Sequence, residues 1–255
     1  MKYVIKKIKI LKKKVSITFT NKEKLEIDKN VYPNFYLYEG KEIDSKEYKK
    51  ITEYNNDSKL LEYALRIRSK SLYSEYKLRE KLYNKGASKK SVDNVIKIMK
   101  SYDLINDEAY ASDLVEYYNS LDYGQKKITT KLLDKGIFQE IIDKIKFPVS
   151  NEKKKANNIF LKLDKKYDKY NFSSKKAHIY NAYLELGFSS EIASEMSNKI
   201  KDDNHKEELN KLKIDFQKAK TRLSRKYKGK ELKSKILSSL LTKGYKYNDI
   251  LKVIE

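Results

Sequence analysis

Four helical runs in this chain end the same way: "KLYNKG" (Lys81 to Gly86), "KLLDKG" (Lys131 to Gly136), "AYLELG" (Ala182 to Gly187) and "SLLTKG" (Ser239 to Gly244). The chain has only seven glycines, so four glycines in equivalent settings constrain the fold more than any other feature. Eight positions before each glycine stand Leu78, Ile128, Ile179 and Ile236. Four before stand Leu82, Leu132, Tyr183 and Leu240, and three before stand Tyr83, Leu133, Leu184 and Leu241. Those spacings place the apolar residues on one helical stripe. The glycine then ends the helix in the left-handed conformation at low steric cost. Val95, Ile145, Met196 and Val253 stand nine positions later, where a second apolar helix is expected. The glycines are 50, 51 and 57 residues apart, the size of a helical repeat unit.

Each glycine-ended pair has a helix before it. "DSKLLEYALRIRSK" places Leu61, Ala64, Leu65 and Arg68 at helical spacing, with Asp57 or Ser58 as N-cap. "NDEAYASDLVEYYNSL" places Tyr110, Leu114, Tyr117 and Leu121 on one stripe. Asp107 or Asn106 is the expected cap, and Glu108 lies in the first turn, where the helix dipole favours an anion. In the last unit Leu212, Phe216, Ala219, Leu223 and Tyr227 form an apolar stripe, with Lys211, Lys218, Arg222 and Arg225 on the opposite face. Gly124 and Gly229 fall between first and second helices. The expected architecture is mainly α: three-helix repeats at 58–105, 106–150, 151–200 and 201–255, in an elongated, curved array. Residues 1–57 differ. Approximate alternation through Ile8 and Ile10, then Val15, Ile17 and Phe19, predicts a small three-stranded meander. A short helix and a longer one, capped by Asp44 or Ser45, should follow it.

Composition narrows the function. The absence of cysteine excludes disulfides and thiolate metal sites and fits a reducing compartment. No apolar run approaches membrane-spanning length, and the N-terminus lacks a signal-peptide core, so a cytoplasmic protein is expected. Net charge is +22, from 58 Lys+Arg against 36 Asp+Glu. Part of the lysine excess is what an AT-rich genome produces, but the charge is uneven. Residues 58–105 carry +7 and 201–255 carry +8, while 106–150 carry −2. That pattern predicts polyanion contacts flanking a segment with another role.

Catalytic motifs are missing: there is no phosphate-binding P-loop, GxGxxG or HExxH pattern. His178 and His205 are the only histidines. His178 reads as structural, and "DDNH" (Asp202 to His205) reads as a polar linker rather than a metal site. No cofactor, metal or enzymatic activity is expected. The candidate binding residues are basic. Nine basic residues and one acid lie between Lys218 and Lys235. The five arginines are Arg66, Arg68 and Arg79 in the first unit and Arg222 and Arg225 in the fourth. With Lys81, Lys211 and Lys218 they form the candidate contact set, since guanidinium forks suit phosphates and carboxylates. Tyr73, Tyr76, Tyr117, Tyr118 and Tyr123 lie near helix surfaces, for packing or for stacking on bases.

The segment from Leu61 to Ile137 resembles the RecX family of recombination regulators. The resemblance is carried by Ala64-Leu65, the turn from Lys81 to Gly86 and the acidic box from Asn106 to Ala111. Gly124 and the second turn from Leu133 to Ile137 complete it. Gln125 stands where the family often has proline, and the third turn lacks the lysine before its glycine. The resemblance implies tandem three-helix repeats, no catalytic residues, and binding to the RecA nucleoprotein filament. It also implies restraint of RecA's ATPase, strand exchange and coprotease activity, hence a role in homologous recombination, repair and the SOS response. Weak, sequence-independent binding to single- and double-stranded DNA by a monomer is the accompanying expectation. Asp107, Glu108 and Ala111 are read as cap and close-packing positions. The alternative is a helix-turn-helix transcriptional regulator, because a glycine between two short helices is common there.

Overall fold

The computed structural model describes residues 2–201 and 205–254. The chain opens with strands β1 (Lys2–Ile10), β2 (Lys14–Phe19) and β3 (Lys24–Asp28), then a 3-10 turn at Tyr32–Asn34 and strand β4 (Glu42–Asp44). The sheet is antiparallel in the order β3-β2-β1-β4. Period-two alternation works as expected along β2, where Val15, Ile17 and Phe19 are buried and Lys14, Ser16 and Thr18 are not. The sheet has four strands where three were expected. β4 is only three residues long, too short to show alternation, and exists because Tyr3 pairs with Ile43. Where one short helix was expected after the meander, there is only the 3-10 turn and β4.

Helix α1 (Ser45–Arg68) follows directly. Its N-cap is Asp44, whose carboxylate accepts the Glu47 amide at 2.7 Å. The second cap expected at Asp57 or Ser58 is not formed, because both residues lie inside α1, and so does the boundary at 57/58. Asn and Asp often break helices by bonding their own backbone. Asn55 instead turns outward to β3, where its Oδ1 accepts the Asp28 amide at 2.8 Å. The helix therefore continues, and Ile51 on it closes the sheet core with Ile5, Ile17, Phe19 and Ile27.

The remaining helices are α2 (Glu75–Tyr83), α3 (Lys89–Ser101), α4 (Asp107–Ser120), α5 (Gln125–Asp134), α6 (Gln139–Ile142), α7 (Val149–Lys166), α8 (Phe172–Glu185), α9 (Ser190–Ser197), α10 (His205–Leu223), α11 (Gly229–Thr242) and α12 (Tyr247–Ile254). The molecule is mainly helical. It forms two compact units, Met1–Ser112 with Leu133–Ile141, and Asp113–Leu132 with Ile142–Glu255. In the first unit, α1, α2 and α3 enclose Leu60, Ala64, Leu78, Leu82, Val95 and Met99. In the second, α7 to α9 enclose Ala156, Ile179, Tyr183, Phe188, Ala193 and Met196, and α10 to α12 enclose Leu212, Ala219, Ile236, Leu240 and Ile250.

The glycine register is borne out in part. All residues eight and four positions before the turn glycines are buried, and Gly86, Gly136, Gly187 and Gly244 all have positive φ. The residues three before are not in the core: Tyr83, Leu133, Leu184 and Leu241 are 37–46% exposed. Positions four and three residues before the glycine differ by about 100° around the helix, and the narrow buried face takes only the first. Two other stripes are rotated similarly. On α4 the buried residues are Ala111 and Tyr118, while Tyr117 on it and Leu121 just after it are exposed; on α1 Leu60 and Ala64 are buried and Leu65 is exposed.

Candidate interaction surfaces

The turn glycines do more than end helices. Ser74 caps α2, accepting the Lys77 amide at 3.2 Å, and its hydroxyl donates to the Lys135 carbonyl at 2.6 Å, just before Gly136. The carboxylate of Asp107 accepts the Glu75 amide at the start of α2, at 2.8 Å. The same pattern recurs in the second unit. The Gly124 amide donates to the Leu186 carbonyl at 2.8 Å, just before Gly187, and Glu152 accepts the Gln125 amide at 2.9 Å. It recurs again where Asn171 donates to the Lys243 carbonyl at 2.9 Å, just before Gly244, and Glu208 accepts the Phe172 amide at 3.1 Å. In each case an acid from the first turns of one helix satisfies an orphan N–H of another helix.

Asp107 therefore accepts the first amide of α2, whose N-cap is Ser74, and does not cap α4. The cap of α4 is Asn106, whose Oδ1 accepts the Ala109 amide at 3.0 Å. Burial pushes the Asp107 carboxyl above its usual range, against the bond from Glu75. Ala111 is buried, as a close-packing position requires, and Glu108 is exposed. Gln125 uses the N–H that a proline would lack. Sequence reading found Asp107 but not its equivalents Glu152 and Glu208. Their shared signal is an acid in the first turn of the helix before α5, α8 and α11. The second junction also holds a buried lysine: Lys155 donates to Asn119 Oδ1 at 2.8 Å and to the Tyr123 carbonyl at 2.6 Å, and pairs with Glu152.

The candidate basic residues divide into two groups. Arg68 Nε donates to the Leu104 carbonyl at 2.8 Å, joining the end of α1 to the α3–α4 loop. Arg79 lies between Glu75, at 2.8 Å, and Asp93. Burial works to raise the Glu75 carboxyl, but bonds from Lys100 and Arg79 outweigh it and hold it below the usual range. These two arginines are internal ties. Arg66 is exposed beside the Tyr63 ring, and half-buried Lys81 lies over Tyr73 at 5.1 Å. Lys211 is half-buried and Lys218 exposed. Arg222 is exposed with one bond, to Ser239 Oγ at 3.3 Å. Arg225 was expected on the helix face but lies in the turn after α10, which ends at Leu223.

Of the tyrosines, Tyr118 is buried and stacks on Tyr123, Tyr73 is half-buried, and Tyr76 and Tyr117 are exposed. His178 packs against Tyr167 and Tyr170, a structural setting. His205 begins α10, and Asp202 to Asn204 lie outside the described residues. Among the described residues, no three His, Asp or Glu side chains gather as a metal site, and no helix is long and apolar enough to cross a membrane.

Glycine-ended helices, joined by acids that cap their neighbours and preceded by a small antiparallel sheet, define a mainly helical protein with exposed cationic stretches. Curated relatives make the assignment specific. The chain is 30% identical over 151 residues to the regulatory protein RecX of Caldanaerobacter subterraneus subsp. tengcongensis, covering 59% of this chain and 77% of that one. It is 31% identical over 166 residues to the regulatory protein RecX of Clostridium beijerinckii, covering 62% and 76%. To the Lactococcus lactis regulatory protein RecX it is 27% identical over 257 residues, covering 96% and 94%. This chain belongs to the RecX family of regulatory proteins. The fold is similar to a crystal structure of regulatory protein RecX, with TM-score 0.63 at 24% identity, over 77% of this chain and 99% of that one. It is also similar to RecX from Lactobacillus salivarius, with TM-score 0.52 at 26% identity, over 56% and 95%. No family model matches the chain.

Proposed function

We propose that this protein binds the RecA nucleoprotein filament and restrains its ATPase, strand exchange and coprotease activities. The observation that carries the reading is similarity to RecX regulatory proteins along 96% of the chain. The helical scaffold from α1 onward spans neighbouring RecA protomers as a monomer, so that ATP-linked changes in filament geometry are resisted. The exposed cations Arg66, Lys218, Arg222 and Arg225 meet DNA phosphates or acidic RecA surface, through contacts that depend on salt and not on sequence. The acidic segment 106–150 faces RecA's own basic surface or keeps clear of DNA. The protein works in the cytoplasm and does no covalent chemistry.

A titration of RecA's DNA-dependent ATPase tests this. Wild type should inhibit, and Arg222→Glu/Arg225→Glu should lose inhibition with unchanged helicity. An ATPase rate and filament length indifferent to the wild-type protein would reject the reading. A shift confined to one duplex sequence, with penalties of about 1–3 kcal/mol per mismatched pair, would favour the transcriptional regulator instead.

A further inference from the structure

Residues 1–22 contain eight lysines and no acid. At the chain's average density of Asp and Glu, about three acids would be expected there, so compositional drift toward lysine does not explain the stretch. Lys2 and Lys14 are paired with Glu42 and Glu26. Lys6, Lys7, Lys9, Lys12, Lys13 and Lys22 are exposed and make no ion pair among the described residues. The sheet directs several of them. Lys7 stands opposite Thr18 and Lys9 opposite Ser16, on the face away from buried Val15, Ile17 and Phe19. The register shift between Ile5 and Lys7 makes Lys6 the extra residue of a bulge, so that two successive lysines reach solvent.

A second feature lies along the same strand. β4 covers only Lys2 to Val4, and beyond it the segment before β4 runs beside β1. The Ile5 amide donates to the Lys41 carbonyl at 2.9 Å, the Gly40 amide to the Ile5 carbonyl at 2.8 Å, and the Ile8 amide to the Glu39 carboxylate at 2.9 Å. In this segment Leu37 is buried, held by the Tyr32 hydroxyl on its carbonyl at 3.0 Å. Its neighbours Tyr36 and Tyr38 are 85% and 54% exposed, edge to face at 5.7 Å. Two large rings are thus held in water by an anchored residue between them, on the segment that bonds β1 at Ile5 and Ile8, where Lys6, Lys7 and Lys9 are unpaired. The acids of this region are engaged: Glu39 accepts the Ile8 amide, Glu42 pairs with Lys2, and Glu47 pairs with Lys41, whose ammonium also donates to the Tyr36 carbonyl at 2.8 Å.

We propose that this edge of the N-terminal sheet, Lys6, Lys7 and Lys9 with Tyr36 and Tyr38, is a binding surface for single-stranded nucleic acid. The lysines neutralise successive phosphates and the tyrosines stack on bases, a combination suited to a strand whose bases are free. A duplex would engage the lysines but offer the rings no unstacked base. An acidic protein would likewise use only the cations. The surface lies outside the helical repeats assigned above to the filament, and it stands whether or not the RecA reading does.

Fluorescence anisotropy of the full chain with labelled oligothymidine of about 30 nucleotides, without RecA and across a salt series, tests it. Lys6→Gln/Lys7→Gln/Lys9→Gln should weaken binding about tenfold or more at low salt and lower the log–log salt slope by about two. Tyr36→Ala/Tyr38→Ala should weaken it about tenfold with the slope unchanged, and leave binding to a duplex of equal length intact. All substituted residues are exposed, and unchanged far-UV circular dichroism confirms folding. Unchanged affinity and slope in both folded variants would overturn the proposal. So would equal weakening of duplex by the tyrosine variant, or a lysine variant that keeps DNA but loses binding to polyglutamate. Arg222→Glu/Arg225→Glu, run alongside, keeps the RecA-directed face separate from this one.

Discussion

Gly124 and Gly187 meet backbone to backbone: the turn that ends α8 is laid directly on the start of α5. The Gly124 amide bonds the Leu186 carbonyl, the Lys126 amide bonds the Gly187 carbonyl at 3.0 Å, and neither glycine has room for a side chain. A Cβ on Gly124 would strike the backbone of Gly187 and Phe188, and one on Gly187 would strike Lys127. Gly124→Ala should therefore destabilise the fold by about 1–3 kcal/mol, as overpacking does. Gly86→Ala meets open space at φ +76 and should cost only about 1 kcal/mol, the left-handed penalty alone. Urea midpoints compare the two; equal effects would contradict this reading of Gly124.

Glu152 and Lys155 form a buried pair whose other bonds hold the same junction. Lys155→Ala strands a buried carboxylate and should cost about 3–5 kcal/mol. Glu152→Gln/Lys155→Met should recover much of that loss, since no uncompensated charge remains. Thermal and urea unfolding of both variants provide the measurement.

Acid should loosen the first unit partly through Glu75. Its folded-state value lies below the ordinary carboxylate value, so its contribution is present above that ordinary value and is lost as pH falls through the folded one. Asp107 has the opposite sign: its raised value means that protonation on acidification relieves its burial. Glu75→Gln should reduce the pH dependence of the unfolding midpoint on the acid side of the ordinary carboxylate value. Asp107→Asn should steepen it, because the opposing contribution is gone.

Arg79 and Arg222 should separate stability from binding. Arg79→Gln breaks bonds to Glu75 and Asp93 and should cost about 1–2 kcal/mol. Arg222→Gln, with one long bond to Ser239 at an exposed site, should stay within about 0.5 kcal/mol of wild type. Denaturation curves decide between them, and a loss of RecA inhibition in Arg222→Gln at unchanged stability would locate function on α10.

The sequence by itself determined what acts within a single helix or strand. Positive-φ glycines after Leu-rich runs, buried residues four and eight positions upstream, alternation along β2 and the cap at Asp44 all follow from helix and strand periods and from steric rules that need no partner. Tertiary structure decided what depends on a neighbour far along the chain. It carried α1 through Asp57 by giving Asn55 a strand to bond, and made a strand of Glu42–Asp44 by placing β1 beside it. It assigned Asp107 to α2, and left Tyr83, Leu133, Leu184 and Leu241 in solvent. It also tied Arg68 and Arg79 inside the molecule while leaving Arg66, Arg222 and Arg225 exposed. Charge and periodicity are identical in a free cation and a tied one; only the position of an acid or carbonyl brought near by folding tells them apart.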